Sequence, residues 1–216
     1  MRPDNTKAVD TGKEVLGLIK KDFCEGAFIA GGWARDYILD LPIRDVDLWL
    51  PAIRAFKKED LESKGFTKYR LITIAGDRRI DKIIKCSYKD MDVDMIYLKD
   101  PEEVFNGYTV CERFPFGIQQ AFWEGDTEDL GFTEGFDSDV SARSITFNPM
   151  PCNLDNLLSI RSRALPKMIK KFPGHELIDP DSWLTKDLGK DVSKKVVKVE
   201  GINYPEFEPQ EEQPWP

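Results

Sequence analysis

The sequence predicts an α+β fold: a mixed central sheet flanked by helices, with a small C-terminal helical extension. Three observations predict it. Residues 27–50, AFIAGGWARDYILDLPIRDVDLWL, read as strand, diglycine turn, helix and second strand. Three further β-like runs follow, at 66–75, 79–88 and 92–98. Helical periodicity brackets them, at 11–23 before and at 154–171 after.

Taken in order, the first ten residues have no apolar pattern and read as disordered. Thr11 to Glu14 fits a capping box, and Val15, Leu16, Leu18 and Ile19 give a packing stripe to a helix ending near Phe23. Residues 27–30 form a short apolar strand, Gly31 and Gly32 the turn, and 33–40 a helix. The second strand carries Asp45, Val46 and Asp47; its apolar run continues through Trp49, so both of its faces are covered. Trp33 and Trp49 are assigned to the core. Pro51 opens a helix to about Ser63, stopped by Gly65. Gly76-Asp77 and Lys89-Asp90 supply turns between the three β-like runs. A short helix at 101–106 precedes a strand-rich connection at 107–120, and the acidic stretch 123–139 reads as a loop. Within the helical pattern at 154–171, Arg161, Arg163, Lys167, Lys170 and Lys171 make a basic polar side, read as a solvated face or as a nucleic-acid or triphosphate contact. More lysines follow at 186–198, and the proline-rich acidic end, 199–216, reads as a disordered tail.

The chemistry is concentrated in 27–50. Two glycines at a strand-to-helix junction let a ligand approach the backbone closely, and the helix start directs N–H groups and positive dipole to the same place, which suits a phosphate. On a strand, Asp45 and Asp47 project to one face with Cα atoms about 6.5–7 Å apart, close enough to share a divalent ion. In MDVDMIYL, Asp92 and Asp94 share a face while Val93 and Met95 take the other. Either could supply a third carboxylate, Asp92 lying one pleat nearer the turn. Arg35 and Asp36 stand on the first helical turn. Arg35 either neutralises a phosphate or pairs with a core carboxylate; Asp36 orders neighbouring backbone or contacts a nucleotide sugar.

Composition narrows the class. The chain has 216 residues, four cysteines (Cys24, Cys86, Cys111, Cys152) without CxxC spacing, and a single histidine, His175. Clustered His/Cys zinc sites and Ser-His-Asp catalysis are therefore disfavoured, the thiols read as reduced, and hard oxygen donors suit magnesium or manganese. Absence of a long apolar run or signal-peptide pattern predicts a cytoplasmic protein without a membrane partner. The net charge of −8 is concentrated: five glutamates and no Lys or Arg lie in 199–216, and seven acids without a base lie in 122–139, leaving the remainder near +4. A broad basic footprint is absent, so a polyanion would be held by a local patch.

GGWARD followed by DVDL resembles the GGxxRD and DxD signatures of the polymerase β nucleotidyltransferase superfamily, most of all the catalytic head of CCA-adding enzymes and bacterial poly(A) polymerases. Residues 140–150, VSARSITFNPM, resemble the RDFTINAM-type motif of that head, matching at Arg143, Thr146, Asn148 and Met150, with Ser144 where the family has Asp. The resemblance covers about 25–150. It implies a polymerase β-like nucleotidyltransferase fold with a catalytic domain at 1–150; the lysine-rich helical extension at 151–198 and the acidic tail at 199–216 are read from pattern and composition and lie outside it. It further implies Asp45, Asp47 and Asp94 as catalytic, metal-holding carboxylates for Mg²⁺ or Mn²⁺. Gly31, Gly32, Arg35, Asp36, Arg143 and Asn148 become nucleotide-binding candidates, with 114–122 a rival to the Arg143 segment. The implied reaction is NMP transfer from a nucleoside triphosphate to an acceptor hydroxyl, foremost an RNA (tRNA-like) 3′ end. A protein or small-molecule hydroxyl, or a non-catalytic subunit binding a protein partner through the acidic tail, are the alternatives.

Overall fold

The computed structural model describes residues 4–51, 55–72, 79–99, 105–125, 129–148 and 154–184. Helix α1 (Thr6–Asp22) buries Val9, Val15, Leu16 and Ile19. It starts five residues ahead of the expected cap: the Thr11 hydroxyl donates to the Lys7 carbonyl at 2.7 Å, a bond made inside a helix. The indole of Trp33 packs so closely on Gly12 that a Cβ there would lie 2.4 Å from its Nε1. Strand β1 (Phe28–Ala30), helix α2 (Gly32–Ile38) and strand β2 (Asp45–Leu50) follow as expected.

Helix α3 (Lys58–Ser63) is shorter than the expected 51–63, and 52–54 lie outside the described residues. Strands β3 (Phe66–Ile72), β4 (Ile80–Tyr88) and β5 (Met91–Leu98) form an antiparallel meander. Lys89 and Asp90, with φ of 48° and 69°, make its two-residue β4–β5 turn, whose twist matches that of the strands. The expected turn at 76–77 and most of the helix at 101–106 fall outside the described residues.

The next segment departs from expectation. Residues 107–120 hold helix α4 (Gly107–Cys111), capped by the Asn106 side chain, and a 3₁₀ turn at Gly117–Gln119 rather than strands. Strand β6 (Ala121–Trp123) leads into the acidic stretch, which is not a loop throughout: it contains β7 (Gly131–Phe132) and helix α5 (Glu134–Ala142). Thr133 caps α5 through its side chain, acids in the first turn complement the dipole, and Phe136 and Asp139 face inward. Strand β8 (Ser144–Thr146) follows. Helix α6 (Leu154–Ser159), a π turn (Ile160–Ala164) and helix α7 (Leu165–Lys171) then lead to strand β9 (Glu176–Ile178), parallel to β8.

Among the described residues the main sheet has the order β3-β4-β5-β2-β1-β6-β7, with β2 and β5 parallel and the other pairs antiparallel. One face carries Ile29, Val46, Leu48, Val93, Met95 and Tyr97 and packs on Val15, Leu16, Ile19 and Trp33. The other carries Phe28, Ala30, Trp49, Ile83 and Ile96 and packs on Val110, Cys111 and Phe114. A third cluster joins Phe116, Ile118, Ile145 and Phe147 to Leu157, Ile160, Met168 and Phe172. Among the described residues no helix is long and apolar enough to cross a membrane.

Candidate functional site

Three carboxylates converge where β2 and β5 run side by side. Their parallel register sets Asp45 opposite Asp92 and Asp47 opposite Asp94. Alternation along each strand sends these four acids to the face that continues into Trp49 and Ile96, while Val46 and Val93 enter the opposite core. The site therefore lies at the polar end of an otherwise apolar sheet face.

The diglycine closes on the β2 acids. A Cβ on Gly32 would lie 3.8 Å from Asp45 Oδ1 and 4.0 Å from Asp47 Oδ2; one on Gly31 would lie 3.8 Å from Asp47 Oδ2 and 3.4 Å from the Phe114 ring. Gly31 has φ of 83°, in the region that side chains disfavour. Its N–H donates to the Ala121 carbonyl at 2.8 Å, so its part in any cradle is conformational. Phe114 also meets Trp49, with ring centroids 5.3 Å apart.

The electrostatics follow from this crowding. Burial, then the charges of Asp45 and Asp94, push the Asp47 carboxyl up to about 7, against the pull of Lys85 and Arg35. Lys85, opposite Asp94 on β4, forms an ion pair with it. Asp92 is exposed and takes a 3.3 Å hydrogen bond from the Ser87 hydroxyl. Asp94 is the acid that stands opposite Asp47, and its charge acts on that carboxyl.

Arg35 and Asp36 form an ion pair at 2.7 Å, both side chains 5% exposed. Arg35 thus takes the carboxylate-pairing alternative, yet its Nη2 still lies 3.8 Å from the Cβ position of Gly32. Lys171, from α7, pairs with the other oxygen of Asp36. Among the basic residues expected on a polar face, Arg163, Lys167 and Lys170 are exposed, whereas Lys171 turns inward.

Arg143 and Asn148 stand apart from this cluster. Arg143 ends α5 in the left-handed conformation with φ of 54°; its side chain is exposed, and among the described residues no hydrogen bond or ion pair joins it to the three acids. Asn148 donates its N–H to the Pro115 carbonyl at 2.9 Å, and Phe116 bridges to Phe147. The two rival segments are therefore neighbours, and they reach the diglycine through Phe114.

Asp139 is the residue that sequence reasoning missed. Fully buried, it accepts hydrogen bonds from the Ser144 hydroxyl at 2.8 Å, the Thr146 hydroxyl at 2.6 Å, the Ile118 N–H at 2.7 Å and the Thr146 N–H at 3.0 Å. It ties the 3₁₀ turn to β8. Its signal was its place immediately before the 140–150 segment, hidden by the surrounding run of acids.

Among the described residues no three His, Cys, Asp or Glu side chains form a ready-made metal cage. The donor chemistry nevertheless fits a hard divalent cation. Asp45 and Asp47 are neighbouring oxygen donors, the Asp47 carboxyl is pushed up to about 7, and a Cβ on Gly32 would come into van der Waals contact with both. Asp94 fits on exchanging its partner Lys85.

No protein-family profile and no curated protein sequence matches this chain. Solved structures do. It is similar to an apo CCA-adding enzyme (TM-score 0.55, 16% identity, 85% of this chain and 42% of that one). It is also similar to the Thermotoga maritima CCA-adding enzyme complexed with tRNA (0.54, 15%, 85% and 42%), and to a CCA-adding enzyme in complex with CTP (0.53, 17%, 85% and 43%). The chain thus spans less than half the length of these structures. Its mixed sheet and flanking helices share the fold of the matched part of these CCA-adding enzyme structures.

Proposed function

We propose that this chain is a metal-dependent nucleotidyltransferase that moves NMP from a nucleoside triphosphate to an acceptor hydroxyl and releases pyrophosphate. The observation that carries the reading is the meeting of Asp45, Asp47 and Asp94 beside Gly31 and Gly32 on a sheet of this fold. Asp45 and Asp47 would hold Mg²⁺ or Mn²⁺, with Asp94 completing the set on the acceptor's side. When bound, the metal supplies charge neutralisation and a template for in-line displacement. The turn at Gly31 and Gly32, having no side chains, leaves room for the triphosphate, and Arg35 stands beside it with positive charge. Phe114 and Trp49 wall the site with apolar surface, which strengthens these interactions. The acceptor hydroxyl gives up its proton to solvent and its oxygen bonds to the α-phosphorus as the bond from that phosphorus to the bridging oxygen breaks, pyrophosphate carrying away the electron pair.

An RNA 3′ end of tRNA type is the first acceptor, supported by the likeness to CCA-adding enzymes, one of them complexed with tRNA. The overall negative charge favours a second reading, transfer to a protein or small-molecule hydroxyl. A non-catalytic subunit binding a protein through its acidic tail is the third; the tail lies outside the described residues. The test is transfer of α-³²P from each nucleoside triphosphate, with Mg²⁺ or Mn²⁺, to tRNA, other RNA and bulk protein. Label on RNA that Asp45→Ala/Asp47→Ala loses supports the first reading, and label on protein alone supports the second. No transfer and no nucleotide binding would overturn the enzyme.

A further inference from the structure

Two cations converge on one buried carboxylate next to the diglycine. Asp36 receives the Arg35 Nε on one oxygen and the Lys171 ammonium on the other. The rest of the guanidinium is framed by α7 as well: Nη1 is 3.9 Å from Met168 Sδ, and Cζ is 5.6 Å from the Phe172 ring centroid. Nη2 remains on the Gly32 side, where Asp45 Oδ1 also approaches. Burial, and next the Arg35 charge, hold the Lys171 ammonium below its ordinary range, while Asp36 and Asp45 pull it upward.

The charge balance of this group is the point. Arg35 and Asp36 alone would be a neutral pair with little attraction for an anion. Lys171 adds the charge that neutralises Asp36 and leaves the group of Arg35, Asp36 and Lys171 with one net positive charge, carried by the guanidinium that faces Gly32 and Asp45. We propose that Lys171 is a positioning residue for the triphosphate: by neutralising Asp36 it keeps the charge of Arg35 available to phosphate at the diglycine. This rests on the nucleotidyltransferase reading above. It makes α7, beyond the segment that bears the acids, a part of the binding site.

The experiment is calorimetric titration of the full chain with inorganic tripolyphosphate in magnesium buffer, with thermal melts of each variant. Lys171→Met should weaken binding about tenfold, the size of one lost charge interaction of ~1.4 kcal/mol. Lys171→Arg should bind within about threefold of the unmodified chain, because the charge is kept. Asp36→Asn added to Lys171→Met should restore binding, since it frees Arg35 from its counter-charge whatever the melt shows. Unchanged binding by Lys171→Met, or weaker binding by the double variant than by Lys171→Met, overturns the proposal. Should Lys171→Met not fold, Lys171→Arg losing the affinity while keeping its melt overturns it equally. If the unmodified chain binds tripolyphosphate but Lys171 does not matter, only this inference falls; if it binds none, the nucleotidyltransferase reading falls with it.

Discussion

Asp47 lies directly opposite Asp94 across the parallel ladder of β2 and β5, and Lys85 lies opposite Asp94 on its other side. Two carboxylates on adjacent strands repel, and the arrangement holds because the surrounding sheet is packed on both faces. Asp47→Asn and Asp94→Asn should each lower nucleotidyl transfer about 10³-fold, the scale of removing one preorganised charge-stabilising group. Asp92→Asn, at an exposed position bonded to Ser87, should change it by less than about threefold. Single-turnover transfer of α-³²P with these three variants checks the assignment.

The raised carboxyl of Asp47 makes stability depend on pH. An acid held at about 7 in the folded chain binds its proton more tightly there than in the unfolded chain. Without metal, stability should therefore fall as pH rises from about 4, the unfolded value, to about 7, and level off above that. The loss should be on the order of 2 kcal/mol after solvent screening. Thermal melts should show Asp47→Asn more stable than the unmodified chain above pH 7 and equal to it near pH 4.

Divalent cations should reverse that loss. A cation bound only by the folded chain at a hundred times its dissociation constant adds about 2.7 kcal/mol. Mn²⁺ should raise the melting temperature at pH 7.5, and Asp45→Ala/Asp47→Ala should abolish the rise.

Gly31→Ala tests the turn without touching a charge. It puts a side chain at φ of 83° and a methyl group 3.4 Å from Phe114. We expect a cost of about 1–2 kcal/mol in stability from the backbone conformation alone. Triphosphate affinity should fall as well, because the methyl group enters the space in front of Asp47. A melt paired with a nucleotide titration separates the two effects.

Asp139→Ala should destabilise the chain by about 3 kcal/mol or more, by leaving the buried N–H groups of Ile118 and Thr146 without their acceptor. Denaturant titration measures it. Asp139→Asn keeps one carbonyl acceptor and should cost less.

The strand–diglycine–helix–strand unit was legible because its signals are local: two glycines, period-2 alternation, and acids on one face. The β3–β5 meander was legible for the same reason, down to the turn at Lys89 and Asp90. Helix α5 was hidden because 123–139 is dominated by acids, and its helical character depends on the Thr133 cap and the inward faces of Phe136 and Asp139. The start of α1 was misplaced because Thr11 looks like a cap until its bond to Lys7 is seen. Lys171 could not be told from Lys167 or Lys170 by sequence; its partner, Asp36, is 135 residues away. Arg143 drew attention through its motif, yet what the fold visibly uses there is its backbone, whose carbonyl accepts the Glu176 N–H.

The pairing of β8 with β9 bears on where the chain can be cut. Parallel strands cannot be joined by a hairpin, so α6, the π turn and α7 are the crossover between them. A fragment ending at residue 150 would keep every acid of the site but strip β8 of β9 and uncover Phe116, Ile145 and Phe147. The smallest piece worth expressing therefore runs through Leu184, which closes that same cluster.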